Sequence, residues 1–297
     1  MILRVSWLIG LCWLLAVTVP AALSLKIGAF NVRVLGPSKA SKDNVMKYLA
    51  QIAVRYDILL IQEIRDNTGE AIQQLLQRIR EEDHGIKVLK KYVYKEESGT
   101  DPFEREPYIV QFRASNCALK DFTLVAIHIA PLTAVSELIE LKTVYEDVRR
   151  NLRTDNIIIM GDLNAACSYV PKKRWPDIDI RQNSKFWWPI GDEVDTTVNS
   201  NTDCAYDRFI IAGESMKAAV LPGSAGTFDF PAEYGLTEEK AMNVSDHYPI
   251  ELSLQNCQSA SSKASHRHQA MSTVMQGIQK LWKQFVGHFS RQHRVEL

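Results

Sequence analysis

The chain has 297 residues, 46% of them hydrophobic and 24% charged, and its 35 Lys and Arg balance 35 Asp and Glu. A neutral chain cannot hold a polyanion through overall charge alone, so an anionic ligand has to be met by local bases or by metal ions. The charge is also uneven: residues 25–257 carry 28 bases against 34 acids, whereas residues 258–297 carry six bases and one acid.

At the start, Arg4 precedes an almost wholly apolar stretch from Trp7 to Val19, then Ala21-Ala22-Leu23-Ser24. A charged residue, an apolar run and small residues at a cleavage position describe a signal peptide over residues 1–24, and hence a secreted protein. The run is short for a membrane span and no stop-transfer pattern follows it. The remaining 273 residues are long for one domain but suit a sandwich of two sheets over residues 25–257.

Several strand-like runs then end in polar residues. Lys26-Ile27-Gly28-Ala29-Phe30 ends in Asn31, Tyr56 to Gln62 in Glu63, and Phe122 to Ile127 in His128. Ile157-Ile158-Ile159-Met160 runs into Gly161-Asp162-Leu163-Asn164; a short apolar run bounded by Gly reads as a buried central strand. Asp162 and Asn164 are two residues apart, so both side chains can point to one side. Ser245-Asp246-His247-Tyr248-Pro249 precedes a last alternating strand, Ile250 to Leu254. Each polar end alone reads equally as a turn cap or a packed loop residue. Together they converge if the strand ends line one cleft, where carboxylate and amide oxygens suit a divalent cation, an attacking water or a phosphate.

Past the last strand, Ser259 to Ser265 reads as a linker. From Met271 the apolar residues fall at 271, 274, 275, 278, 281, 282, 285, 286 and 289, a helical stripe with Lys280, Lys283, His288 and Arg291 among or after them. Residues 258–297 are thus a basic amphipathic tail suited to an anionic membrane or a chromatin-like surface, with docking on the domain or disorder as the alternative. Cys12 leaves with the signal peptide, and Cys117, Cys167, Cys204 and Cys257 allow three pairings. Asn243-Val244-Ser245 is a glycosylation sequon beside His247, where a glycan would crowd the cleft. Lys172-Lys173-Arg174 reads as a solvated basic loop.

Asn31, Glu63-Ile64-Arg65-Asp66, Arg105-Glu106-Pro107, His128, Gly161-Asp162-Leu163-Asn164, Cys204-Ala205-Tyr206-Asp207-Arg208 and Ser245-Asp246-His247-Tyr248-Pro249 occur in an order that resembles the secreted deoxyribonuclease I family. Cys167-Ser168-Tyr169-Val170-Pro171-Lys172-Lys173 and the basic tail resemble its deoxyribonuclease gamma-like branch. The resemblance covers about residues 25–256 and implies a four-layer α/β sandwich of two packed mixed sheets flanked by helices. It implies a monomer that cuts DNA with little sequence preference, using Mg²⁺ (or Mn²⁺) and Ca²⁺. By the same resemblance His128, His247, Asp207 and Asp162 are catalytic, and Glu63, Asn31 and Asp246 hold metal. Asn164 and Arg105 contact phosphate, Arg65 enters the minor groove, and Cys167 pairs with Cys204. Whether Cys117 and Cys257 pair stays open, with two free thiols at least as well supported.

One departure bears on activity. The family has a strand pair whose Tyr-Lys-Glu motif orients the first histidine, but here Asp83-His84-Gly85 passes directly into Ile86 to Tyr94. Roughly two dozen residues are absent by this resemblance, and Tyr94-Lys95-Glu96 reads as a decoy at the end of the wrong strand. The alternative to an active nuclease is therefore a catalytically impaired DNA-binding relative. A lipid or inositol phosphodiesterase on the same architecture is disfavoured by the Glu-x-Arg-Asp, Cys-Ala-Tyr-Asp-Arg and Arg-Glu-Pro motifs.

Overall fold

Alternating and wholly apolar runs form nine strands in a computed structural model that describes residues 23–79, 85–96 and 101–257. The tail and all but the last two residues of the expected signal peptide lie outside the described residues. The strands are β1 (Leu23–Leu35), β2 (Ile58–Ile64), β3 (Ile86–Val93), β4 (Tyr108–Ala114), β5 (Asp121–Ala126), β6 (Ile157–Asp162), β7 (Asp207–Ala212), β8 (Gly226–Thr227) and β9 (Ile250–Cys257). They make a four-stranded sheet, β2-β1-β9-β8, and a five-stranded sheet, β3-β4-β5-β6-β7. Both are mixed: β1 pairs parallel to β2 and β5 parallel to β6, and the other ladders are antiparallel. The helices are α1 (Pro37–Ala40), α2 (Asp43–Ala53), α3 (Glu70–Arg78), α4 (Ala134–Leu152), α5 (Asp179–Gln182), α6 (Glu214–Ala219), α7 (Phe230–Glu233) and α8 (Glu238–Val244).

Three apolar layers hold these elements together. Between the sheets, Leu25, Ile27 and Ala29 of β1 and Ile250, Leu252 and Leu254 of β9 meet Leu124, Ile158, Met160, Phe209 and Ile211. On the outer face of the first sheet, Phe30 and Val32 lie under Val45, Met46, Leu49 and Ile52 of α2, Leu75 of α3 and Val244 of α8. On the outer face of the second, Ile109, Val125, Ile157, Ile159 and Ile210 lie under Leu138, Leu141, Val144 and Val148 of α4. The order helix, sheet, sheet, helix is the four-layer α/β sandwich, since each sheet buries one face on the other and its second face under helices. Each fully buried Leu, Ile or Val contributes about 1.5–3 kcal/mol relative to exposure.

All six residues of β6 are buried between β5 and β7, as a wholly apolar run requires. Its Gly161 has φ 136°, and a Cβ there would lie 2.2 Å from the Ile127 carbonyl oxygen. Glycine therefore lets β6 approach the end of β5 closely enough for Ile127 N–H to reach the Met160 carbonyl. β1 begins at Leu23, opposite Cys257, two residues before the expected mature terminus. No described helix is long and apolar enough to cross a membrane.

Two disulfides tie the ends of elements together. Cys167 bonds Cys204, and Cys117 bonds Cys257, the pairing that the sequence left open. The first closes a loop of 37 residues and the second one of 140. Non-reducing peptide mapping of the native protein is expected to find both bridges and no alkylated thiol among the four. Replacing Cys117 and Cys257 together by Ala should cost about 3–5 kcal/mol by the loop-entropy model, read from denaturant melts; an unchanged midpoint would contradict the bridge.

Candidate active site

The C-terminal ends of β1, β2, β5 and β6 and the starts of β7 and β9 share one rim of the sandwich, which brings their polar ends together. Asp162 and Asp207 are opposite residues of the β6–β7 ladder. Asn31, from β1, donates through Nδ2 to Glu63 Oε1 and to Asp162 Oδ2, both at 3.0 Å, so one amide joins the ends of three strands. His128 Nε2 lies 3.4 Å from Asp162 Oδ2 and His247 Nε2 lies 3.7 Å from the same oxygen. His247 Nδ1 is 2.7 Å from Asp207 Oδ2. Asn164 donates its backbone N–H to Asp162 Oδ1 and its side-chain Nδ2 to the Ile129 carbonyl, at 3.0 and 2.9 Å.

The backbone at this rim is strained. Arg33, Val34, Glu63 and Asn164 all have φ between 46° and 61°. Left-handed backbone is uncommon for non-glycine residues and unusual for a β-branched one, and persists where surroundings over-determine it. Here the Glu63 carboxylate accepts from Val34 N–H and the Asn31 side-chain oxygen accepts from Arg33 N–H, each at 3.0 Å. Lys39 Nζ donates to the carbonyls of Val32, Arg33 and Val244, binding the same turn to the end of α8.

Charge in the cleft follows from burial and pairing. Burial opposes ionisation of Asp162, but His247 and then His128 hold its carboxyl down at about 2. Burial likewise opposes protonation of His247; the Asp207 carboxylate, followed by that of Asp162, overcomes it and pushes the imidazole up to about 10. At neutral pH His247 is thus an imidazolium whose Nδ1–H is held by Asp207 and whose Nε2–H faces Asp162. Among the described residues Asp207 Oδ1 is buried without a hydrogen-bond partner, and Asp162, Asp207 and His247 lie close enough to form one potential ligand group.

The remaining predicted site residues stand around this centre. Arg105 Nε donates to the His128 carbonyl at 2.9 Å, so it braces the loop that carries the histidine. Arg65 is mostly exposed, 4.0 Å from Glu63, and projects from the rim. Asp246, next to His247 in the chain, is half-exposed and pairs with Arg33 at 3.5 Å. Among the described residues no hydrogen bond joins Glu96 to His128; Tyr94 is buried against Phe103. Asn243 is exposed on α8, while Ser245 of the same sequon is fully buried.

Three positioning residues escape a reading by sequence. Gln62 donates to the Ile127 carbonyl and accepts from Asp162 N–H, pinning β5 and β6 to β2. Ser245 Oγ donates to the Asn31 carbonyl at 2.6 Å and accepts from His247 N–H. Thr196 Oγ1 accepts from Asp207 N–H and donates to the Cys204 carbonyl. Only Gln62 carried a signal, as a polar residue inside an apolar strand; Ser245 and Thr196 look like ordinary loop residues.

Residues 28–247 match the Endonuclease/Exonuclease/phosphatase family. Deoxyribonuclease-1 of Equus caballus is 41% identical over 282 aligned positions, which span 85% of this chain and all of the relative. Deoxyribonuclease gamma of Homo sapiens is 38% identical over 274 positions, 82% of this chain and 90% of the relative. Among solved structures, the human Nocturnin catalytic domain with bound sulfate aligns at a TM-score of 0.55 and 12% identity, covering 77% of this chain and 92% of that one. Humanized D. rerio TDP2 aligns at 0.53 and 14%, covering 78% and 99%; both likenesses concern the fold alone. The 282 positions shared with the horse protein include about 252 residues of this chain, 85% of its 297, so about 30 positions have no counterpart here. The gap expected between α3 and β3 is of that order.

The geometry of the His247–Asp207 pair sets a pH dependence. Because folding favours the protonated imidazole, the pair contributes fully to stability below the unfolded-histidine pKa of about 6.5. That contribution is lost as pH rises through about 10. An NMR titration should find His247 still charged at pH 8, and Asp207→Asn should return its midpoint to or below the ordinary value. A wild-type midpoint near 6.5 would contradict the pairing.

Proposed function

Since the chain belongs to the deoxyribonuclease I family of endonuclease/exonuclease/phosphatase proteins, we propose that it is a secreted, metal-dependent endonuclease that hydrolyses the phosphodiester bonds of DNA with little sequence preference. The observation that carries this reading is the Asp162 carboxylate held between His128 and His247, with Asn31 joining it to Glu63. Hydrolysis needs an oriented water, charge stabilisation at the phosphoryl oxygens and a proton for the leaving oxygen. Asp207 fixes Nδ1–H of His247, so Nε2–H is the proton that faces the cleft and can pass to the leaving oxygen. Asp162 is ionised and buried between the histidines, placed to orient a water through its carboxylate. Asn164 and Arg105 flank it as phosphate contacts, and Arg65 reaches outward as a groove contact, where width is read more than sequence.

The donor set fits a divalent cation. Glu63 Oε1 and Asp162 Oδ2 are hard oxygens gathered at one amide, with no sulfur among them. Glu63 and Asn31, with Asp246 in support, would hold Mg²⁺ or Mn²⁺, and Ca²⁺ is the second ion the family implies. A bound cation supplies charge neutralisation at the phosphoryl oxygens. Secretion is supported by the leader sequence and by two disulfides, which persist in oxidising compartments. We take the chain to act as a monomer, and the basic tail supports a hold on anionic membrane or on DNA packed in chromatin.

A specific observation favours a weak enzyme. His128 touches one carboxylate, Asp162 through Nε2, and among the described residues no carboxylate bonds its other ring nitrogen. Loss of an orienting carboxylate in a related His–Asp pair costs about 10⁴ in turnover. Plasmid nicking with Mg²⁺ and Ca²⁺, run beside a version carrying the absent strand pair, is expected to show a deficit of that order; equal rates would remove the argument. Asp162→Ala should abolish the residual nicking while circular dichroism stays native-like, and retained cutting would sink the assignment. Deleting residues 258–297 should leave nicking of naked plasmid unchanged but weaken binding to anionic vesicles and to histone-packed DNA. That loss is about 1 kcal/mol per basic residue near the surface and fades as salt rises; unchanged binding at low salt would make the tail a passive extension.

A further inference from the structure

The second sheet is wider than the first on one side. β6 packs across β1 and β2, so β5, then β4 and β3 step outward past the free edge of β2. The inner face of β3 and β4 is therefore a mainly apolar shelf, with one base, Lys91, opposite Val110. Ile86 pairs with Ala114 and Val88 with Phe112, and Ile86, Ala114 and Phe112 face the layer between the sheets. Ile109 points the other way, under α4, so Val110 shares the face of Phe112. Val88 is 54% exposed, and Ile86, Val110 and Phe112 are half-buried.

The edge of β2 borders this shelf, and among the described residues no strand pairs with it. β8 is two residues long, β7 is bridged through Trp187 at Ile211, and β3 carries Lys87, Lys90 and Lys91. β2 instead runs Ile58-Leu59-Leu60-Ile61, without Lys or Pro. Asp57 N–H reaches the Lys26 carbonyl, so by alternation the backbone groups of Ile58 and Leu60 point to the open side. An open apolar edge beside an apolar shelf is a surface that folded chains cover.

A second copy joining β2 to β2 with its second sheet on the same side meets an obstacle. Continuing the first sheet into a partner would bring the partner's β3 and β4 into the space that this chain's own shelf fills. The tail, in contrast, leaves the domain at the shelf. Cys257 is bonded to Cys117, just past the end of β4, where Ser115 N–H donates to the Gly85 carbonyl beside the start of β3. Residues 258–270 can span about 40 Å when extended. As a helix, residues 271–289 are about 28 Å long, and the eight residues of β3 run about 26 Å. A helix about 10 Å wide fits a layer whose sheet-to-sheet spacing is about 10 Å. At helical spacing the apolar residues from Met271 to Phe289 share one side, while Lys280, Lys283, Arg291 and Arg294 fall on the opposite side.

We infer that the apolar face of residues 271–289 packs on the shelf formed by Val88, Val110 and Phe112 beside β2, in place of a strand pair, and turns its bases to solvent. Docking and basic-surface roles then belong to opposite faces of one helix, and neither depends on the nuclease reading.

Disulfide trapping in the full-length secreted chain tests this. Val88→Cys is combined in turn with Val274→Cys, Ile278→Cys, Leu281→Cys or Phe285→Cys, and with Lys280→Cys or Lys283→Cys as controls. At least one apolar-face pair should close within single molecules, independent of protein concentration, and the controls should not. Equal trapping from both faces, no trapping, or bonds between molecules overturns the proposal. A second readout needs no substitution: amide exchange over residues 58–61 and 86–90 should quicken about tenfold or more when the chain is ended at residue 257, as expected for loss of a packed neighbour. Unchanged exchange there overturns it as well.

Discussion

The structure turns on a buried negative charge. Asp162 is 2% exposed, at the end of a strand buried throughout its length, and an isolated carboxylate there would be protonated. It stays ionised because Asn31, His128 and His247 all reach one of its oxygens and Asn164 N–H reaches the other. Each partner comes from a different strand end or loop, so satisfying this charge also fixes how the two sheets meet. Gln62, which accepts from Asp162 N–H, locks the same junction from the first sheet. Strain at Arg33, Val34, Glu63 and Asn164 collects around it, where packing and hydrogen bonds over-determine the backbone.

That arrangement explains how a neutral chain with an acidic body can act on a polyanion. The acids that matter point inward, where they charge His247 and gather hard oxygen donors. The bases Arg65 and Arg105 stand at the rim, Arg65 mostly exposed and Arg105 bracing the His128 loop. The two histidines are not equivalent. His247 has a dedicated buried carboxylate in Asp207, which sets its tautomer and its charge, whereas His128 shares Asp162.

A shortfall of chain relative to the horse protein goes with three features of the described residues. Compared with the horse relative about 30 positions have no residue here, and the chain passes from α3 to β3 with only a short connection. Among the described residues no strand pairs with the outer edge of β2, β3 and β4 extend the second sheet beyond β5, and His128 reaches one carboxylate. Sheet edges and active-site geometry are coupled because the strands that extend a sheet also deliver side chains to its rim.

Much of this was legible in the sequence because it depends on local pattern. The apolar run from Ile157 to Met160 reads as a buried strand, and Glu63, His128 and Asp162 stand at or just past strand ends as the alternation implies, whereas β1 continues past Asn31 to Leu35 through an irregular stretch. Only the tertiary structure decided what those ends do to one another. That Asn31 bridges Glu63 and Asp162, that Asp246 pairs with Arg33, that Cys117 bonds Cys257, and that Ser245 and Thr196 hold the backbone beside His247 and Asp207 are contacts between residues far apart in the chain. A pattern specifies which face of a strand is buried but not which distant face covers it. Pairing, register and the charge state of a buried group follow from that second choice, and it is made only when the two sheets close on each other.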